Sequence, residues 1–169
     1  MEYFEIVDIN GNVIGRASRE ECHRNPTLLH RVSHVFVFNS QNQLYLQKRS
    51  IHKDIQPWKW DTSVGGHLNP GETHEQAAYR ELAEELGISG VSFTHLYDYL
   101  WRSERESELV RTFRVIYDGL IKFDPEEIDE GRFWTLTEIQ SAIPTNILTP
   151  NFIEEYNRYL QWGVCNKCR

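Results

Sequence analysis

Gly66-His67-Leu68-Asn69-Pro70-Gly71-Glu72-Thr73-His74-Glu75-Gln76-Ala77-Ala78-Tyr79-Arg80-Glu81-Leu82-Ala83-Glu84-Glu85-Leu86-Gly87-Ile88 is the stretch that organises the chain. Thr73 followed three residues later by Gln76 is a capping-box start, and Gly87 supplies a left-handed stop, so a helix is predicted over His74 to Leu86. Glu81, Glu84 and Glu85 fall at i, i+3 and i+4 on one face. Ala78, Leu82 and Leu86 repeat on another, which can bury against a sheet. Three carboxylates this close repel one another unless a cation sits among them, and hard oxygen ligands favour Mg²⁺ or Mn²⁺. The competing reading of an isolated E-x-x-E-E is a solvated acidic helix face.

Outward from this stretch, the chain alternates strand and turn signals. Asn10-Gly11 marks a first hairpin over Tyr3 to Val13, placed at a sheet edge. A short helical turn follows from Ser18 and is broken by Asn25-Pro26. Ser33 to Phe38 and Gln43 to Gln47, joined by Asn39-Ser40-Gln41-Asn42, read as two central antiparallel strands. Thr62 to Gly66 reads as a short strand delivering the chain to the glycine loop. Beyond the helix, Val91 to Trp101 and Leu109 to Tyr117 alternate as strands, with Arg102 to Glu108 as a charged connection between them. Gly119 to Phe123 continues the sheet, Arg132-Phe133-Trp134 is its last strand, a helix follows that ends by Pro144, and Thr149-Pro150 opens a final helix. This order indicates one α/β domain over 1–169, with its N-terminal hairpin in 1–15 and core in 30–160. Its helices flank a mixed sheet on both faces, an α/β/α layered sandwich.

The 169 residues are enough to bury a substantial core, with 40% apolar and 12% aromatic residues. A formal charge of −7 argues against a nucleic-acid polymer or an anionic membrane as partner, since phosphate surfaces demand clustered Lys and Arg. A small anionic substrate remains open through a metal and local cations. Neither a membrane-spanning run nor a signal peptide is read in the sequence, which implies a cytoplasmic protein. Three cysteines suit a reducing compartment, and Cys165 with Cys168 is half of a zinc-knuckle spacing without a second pair.

Taken whole, the opening stretch fits G-x5-E-x7-R-E-[aliphatic]-x-E-E-x-G-[aliphatic]. Gly66, Glu72, Arg80, Glu81, Leu82, Glu84, Glu85, Gly87 and Ile88 fill every specified position. In this the sequence resembles the Nudix hydrolases. The resemblance implies the same layered fold and a metal-dependent cleavage of a small-molecule diphosphate, by a monomer or homodimer. It implies that Glu84 and Glu85, with the carbonyl of Gly65, bind the catalytic Mg²⁺ or Mn²⁺, and that Glu81 binds metal or takes the proton from water. Arg80 and Glu72 hold the loop–helix geometry in that reading.

The flanks are similar to a narrower group, the isopentenyl diphosphate isomerases of the same superfamily. The similarity rests on Leu29-His30-Arg31, Gln47-Lys48-Arg49-Ser50, Trp60-Asp61-Thr62, Gly66-His67 and Glu106-Ser107-Glu108. It implies a metal cluster of His23, His30, His67, Glu106 and Glu108. Two departures weigh against isomerisation. Gly65 stands where the isomerases carry a cysteine for proton transfer, and Asn146 stands where they carry a tryptophan. Diphosphate hydrolysis is therefore the leading expectation, isomerisation the alternative, and a ligand-binding module without turnover a third reading. Trp58, Trp60, Tyr97, Tyr99 and Trp101 could stack on a substrate base, although strand aromatics usually belong to a core.

Overall fold

The computed structural model describes residues 1–167. In chain order the elements are β1 (Tyr3–Val7), β2 (Val13–Ser18), α1 (Arg19–Cys22), β3 (Leu29–Phe38), β4 (Leu44–Arg49), β5 (Trp60–Asp61), β6 (Val64–His67) and α2 (His74–Leu86). Then come β7 (Thr94–Arg102), β8 (Ser107–Ile116), β9 (Ile128–Trp134), α3 (Leu136–Ala142), a 3-10 turn (Ile143–Thr145) and α4 (Pro150–Lys167). Because Cys168 lies outside the described residues, so does any pairing with Cys165.

β3 is the spine. Along one edge it pairs in parallel with β8 over its whole length, Leu29 opposite Ser107 through Phe38 opposite Ile116. Its other edge is shared in succession by β1 (Ile6 opposite His30), β6 (Val32 to Val35 opposite His67 to Val64) and β4 (Phe38 opposite Leu44), all antiparallel. The sheet is mixed, as expected, and β2 is its outer strand beside β1. β3 and β4 are adjacent in sequence, yet they share only that one residue pair. β6 occupies the edge that β4 would need, and β4 peels away to pair with β9 and β5.

Side-chain alternation along β3 builds two cores. Val35 and Val37 face α2, where they pack with Ala78, Leu82, Leu86, Phe113 and Val115. Phe36 and Phe38 face the opposite side, against Ile139 and Ala142 of α3 and Phe152 and Tyr156 of α4. Helices therefore cover both faces, giving the α/β/α layers. Leu82 is fully buried, so truncating it to Ala would cost about 2–5 kcal/mol.

α2 has the bounds its sequence predicts. Thr73 Oγ1 accepts from the Gln76 N–H, Gln76 caps the Thr73 N–H in return, and Gly87 closes the helix at φ 66°. The Ser33 hydroxyl of β3 donates to the His74 carbonyl at 2.7 Å, tying the helix start to the spine. Gly119 to Phe123, expected as a strand, forms none. The Lys122 N–H instead bonds the Leu86 carbonyl at 3.1 Å, so this segment satisfies the C-terminal end of α2 rather than a strand edge. Pro144 lies within the 3-10 turn that follows α3. Within residues 1–167, no helix is long and apolar enough to cross a membrane.

Candidate active site and metal centre

The loop between β6 and α2 is folded around Arg80. Its Nε and Nη2 donate to the two oxygens of Glu72 at 2.8 and 2.9 Å, Nη2 also reaches the His67 carbonyl at 3.0 Å, and Nη1 reaches Glu81 at 2.6 Å. A planar fork suits this bidentate grip. Glu72 accepts in addition from the Asn69 N–H, and its carboxyl is held below the usual carboxylate range by the Arg80 hydrogen bonds. Glu72 and Arg80 thus hold the loop against the helix, where the sequence places them.

The three helix acids are disposed differently from one another. Glu81 is largely enclosed and lies flat against Gly66, where a Cβ would come within 2.1 Å of its Cδ. Burial raises its pKa, opposed by Arg80. Glu85 accepts from the Gln47 side chain at 2.8 Å, and burial pushes its carboxyl up to about 8. Gln47 also donates to the Ser63 carbonyl, which fixes its amide. Glu84 points outward, its side chain 61% exposed and 3.4 Å from Arg80. In this arrangement the three acids share one side of α2 but not one point, and Glu84 must turn from Arg80 to act with Glu85.

A second cluster is already assembled. Among the described residues, the sets of three whose ligand atoms all lie within 4.8 Å of one another are His23, His30, His67 and His30, Glu106, Glu108. His23 Nε2 is 3.3 Å from His67 Nε2 and 3.5 Å from Glu106, while Glu108 lies 3.7 Å from His67 and 3.9 Å from His30. These residues come from α1's end, the starts of β3 and β8, the end of β6 and the β7–β8 loop. The Phe4 ring stacks on His67 at 4.4 Å and on His30 at 5.3 Å, so the N-terminal hairpin walls the cluster.

The donor chemistry fits a cation. His30 is fully buried and its Nε2 has no hydrogen-bond partner among the described residues, while its Nδ1 lies 3.3 Å from the Leu28 carbonyl. That bond makes Nδ1 the N–H and leaves the Nε2 lone pair directed into the cluster. Burial lowers the pKa of His30, and burial with its histidine and arginine neighbours lowers that of His23 to about 4. Glu108 ionises more readily than usual because the histidines outweigh its burial, whereas burial and Glu108 raise Glu106. Neutral imidazoles facing a carboxylate are the form in which these groups ligate a metal.

Asn146 is an exposed turn residue at φ 62° that accepts from Lys59 at 2.9 Å. Trp60 and Tyr99 are core residues, while Trp58 is exposed beneath the Lys48 ammonium. Gln47 has no role assigned from the sequence, and neither His34 nor Glu155 stands out there as a site residue. His34 Nδ1 and Glu155 Oε2 are 2.7 Å apart, and the other Glu155 oxygen accepts from Thr112 at 2.6 Å. Burial disfavours the His34 imidazolium, but Glu155 overrides it and carries the group up to about 9. A polar pair inside otherwise apolar strand and helix patterns was the available signal.

Residues 28–156 match the NUDIX domain. A Nudix hydrolase of Yersinia pestis, itself described as uncharacterized, is 35% identical over 160 residues, spanning 95% of this chain and 86% of its own. Isopentenyl-diphosphate Delta-isomerase 1 of Photorhabdus laumondii is 32% identical over 169 residues, covering 95% of this chain and 96% of that one. A crystal structure from Deinococcus radiodurans superposes with a TM-score of 0.81 at 26% identity, over 93% of this chain and 98% of the other.

Proposed function

This chain belongs to the Nudix family, whose members use a divalent metal on small-molecule diphosphates, and we propose that it is a hydrolase cleaving the diphosphate linkage of a nucleotide-type or other organic diphosphate. The observation that carries this reading is the Arg80 fork, which holds Glu72, Glu81 and the His67 carbonyl in one rigid unit beside Gly65 and Gly66.

In this reading Glu84, Glu85 and the Gly65 carbonyl would hold Mg²⁺ or Mn²⁺, which would neutralise phosphoryl charge and make water more acidic. Glu81 takes the proton from the attacking water. Burial of its enclosed carboxylate, opposed by Arg80, raises the pKa and strengthens the group as a base. Gln47 orients the Glu85 carboxylate by donating to one oxygen and leaving the other free for metal. Arg80 is a positioning residue, as is Glu72. His23, His30, His67, Glu106 and Glu108 form a second divalent site in the same proposal, with Mn²⁺ or Zn²⁺ suited to its mixed nitrogen and oxygen donors. The protein would work in the cytoplasm as a monomer or homodimer.

The second reading, an isopentenyl-diphosphate isomerase-like activity, is favoured by the assembled His/Glu cluster and by the isomerase relatives. Against it stands Gly65, which has no side chain to move a proton. Incubation with a panel of nucleoside diphosphate-linked and isoprenoid diphosphates, plus Mg²⁺ or Mn²⁺, separates the readings. Cleavage of the diphosphate supports hydrolysis, whereas a shifted alkene with the diphosphate intact supports isomerisation. Binding without either product overturns both.

A further inference from the structure

Gly65 and Gly66 are consecutive in β6, so their side-chain directions point to opposite faces of the sheet. Glu81 fills the Gly66 side. The Gly65 side is filled by His34, its direct partner in β3: a Cβ on Gly65 would lie 3.0 Å from His34 Cδ2 and 3.2 Å from Nε2. The imidazole therefore stands in the space that a larger residue at 65 would claim.

The ring is held from behind. Its Nδ1 faces the carboxylate of Glu155, a residue of α4 that is only 1% exposed, and that carboxylate is fixed in turn by Thr112. Both groups sit on the face of β3 that otherwise carries Phe36 and Phe38 against α4. Burying such a pair costs desolvation, and apolar residues of similar volume would pack the layer as well. The opposite ring edge, Nε2, makes no hydrogen bond among the described residues, and 16% of the His34 side chain is exposed. Beside it the Thr62 methyl lies 3.7 Å from the same Gly65 point, and the buried Thr62 hydroxyl has no partner either. Two unspent polar atoms thus flank the residue whose carbonyl the hydrolase reading assigns to the metal.

We propose that His34, aimed by Glu155, is a substrate-binding residue that meets a substrate oxygen with its Nε2 edge on the Gly65 face of β6, with the Thr62 hydroxyl contributing to the same contact. This rests on the hydrolase reading. Glu155 acts through His34 and is a positioning residue. The oxygen belongs to a phosphoryl group or to a hydroxyl of the organic moiety, since both chemistries match an imidazole edge and a hydroxyl.

The test uses the full-length protein, the best substrate of the diphosphate panel and methylenediphosphonate as a probe that carries phosphoryl oxygens alone. T62V removes a hydroxyl without a partner and keeps the volume, so Tm is unchanged while KM rises roughly three- to tenfold, as one lost neutral hydrogen bond would give. H34L/E155M replaces the buried pair by apolar volume; it folds, raises KM about tenfold or more and changes kcat little. H34Q, which keeps a nitrogen donor, falls between wild type and that double variant. Weakened methylenediphosphonate binding in H34Q assigns the contact to a phosphoryl oxygen. Unchanged probe binding with a raised KM assigns it to a hydroxyl. E85Q is the control for the underlying reading. Lost turnover in E85Q together with wild-type KM in both T62V and H34L/E155M overturns the His34 assignment alone. A wild-type protein that cleaves nothing overturns the hydrolase reading, and the assignment with it.

Discussion

Glu81 lies against Gly66 so closely that a methyl group at 66 would occupy the place of the Glu81 carboxylate carbon, 2.1 Å away. Gly66 has no left-handed backbone to lose, so the glycine serves close approach alone. In G66A the flexible end of Glu81 yields rather than the strand. The expected outcome is a folded protein with Tm near wild type and kcat lower by about a hundredfold or more, because the proposed base is displaced. Steady-state kinetics beside a thermal melt check this, and wild-type kcat would remove Glu81 from the mechanism.

Arg80 grips four oxygens of three residues from its fork and a fifth, of Glu84, at the edge of hydrogen-bond range. A lysine keeps the charge but reaches one or two of these. R80K should lose about 1–2 kcal/mol of stability and about tenfold or more in kcat, with KM less affected. Denaturant titration and kinetics on the same preparation measure both. Equal losses in KM and none in kcat would place Arg80 on the substrate instead.

Glu85 ties stability to pH. Its carboxyl sits near 4.5 when unfolded and is pushed up to about 8 by burial in the fold. The folded state therefore holds a proton that the unfolded state releases, and its metal-free stability falls as pH rises from about 4.5 to 8. A bound divalent ion takes the place of that proton. Because the lowered histidines act with the opposite sign below about pH 6.5, the Glu85 contribution is read against E85Q: the Tm of metal-free wild type should fall relative to E85Q across this window, and Mg²⁺ should raise the wild-type Tm most near pH 8. A metal-free wild-type Tm that does not fall relative to E85Q between about pH 4.5 and 8 would contradict this.

The histidine cluster works on the acid side. His23, lowered to about 4, and His30, lowered by burial, remain neutral in the fold while their unfolded counterparts protonate near 6.5. A depressed base withdraws stability as pH falls, here from about 6.5 toward 4. The same neutral rings should bind Mn²⁺ without first shedding protons. After dialysis against Mn²⁺, H30A should carry about one ion fewer per chain than wild type, because it removes the orphaned Nε2 at the centre of the cluster. Identical metal content by elemental analysis would dissolve the second site.

The legibility of the chain follows from the range of its contacts. α2 was readable to the residue because Thr73, Gln76 and Gly87 act within one turn of themselves. The α/β/α layering was legible in the order of strands and helices along the chain, and alternation in β3 realises it by turning Val35 and Phe36 toward opposite helices. What failed depended on competition for edges. No local signal says that β6 displaces β4 from the side of β3, or that 119–123 caps a helix instead of extending a sheet. At the site, Arg80 and Glu72 were legible as neighbours across a loop, and the convergence of His23, His30, His67, Glu106 and Glu108 became legible through resemblance. His34 and Glu155 were not, being 121 residues apart in sequence and joined through the parallel pairing of β3 with β8 and the docking of α4.

Water attack on a diphosphate at the Glu81–Glu85 face is the step on which every proposed role depends. Turnover of the best panel substrate in ¹⁸O-enriched water with Mg²⁺, followed by ³¹P NMR, tests it most directly. The account predicts one ¹⁸O in a phosphoryl product of the wild-type protein and none from E85Q under the same conditions. An intact diphosphate bearing a migrated double bond, or equal label from wild type and E85Q, would contradict it.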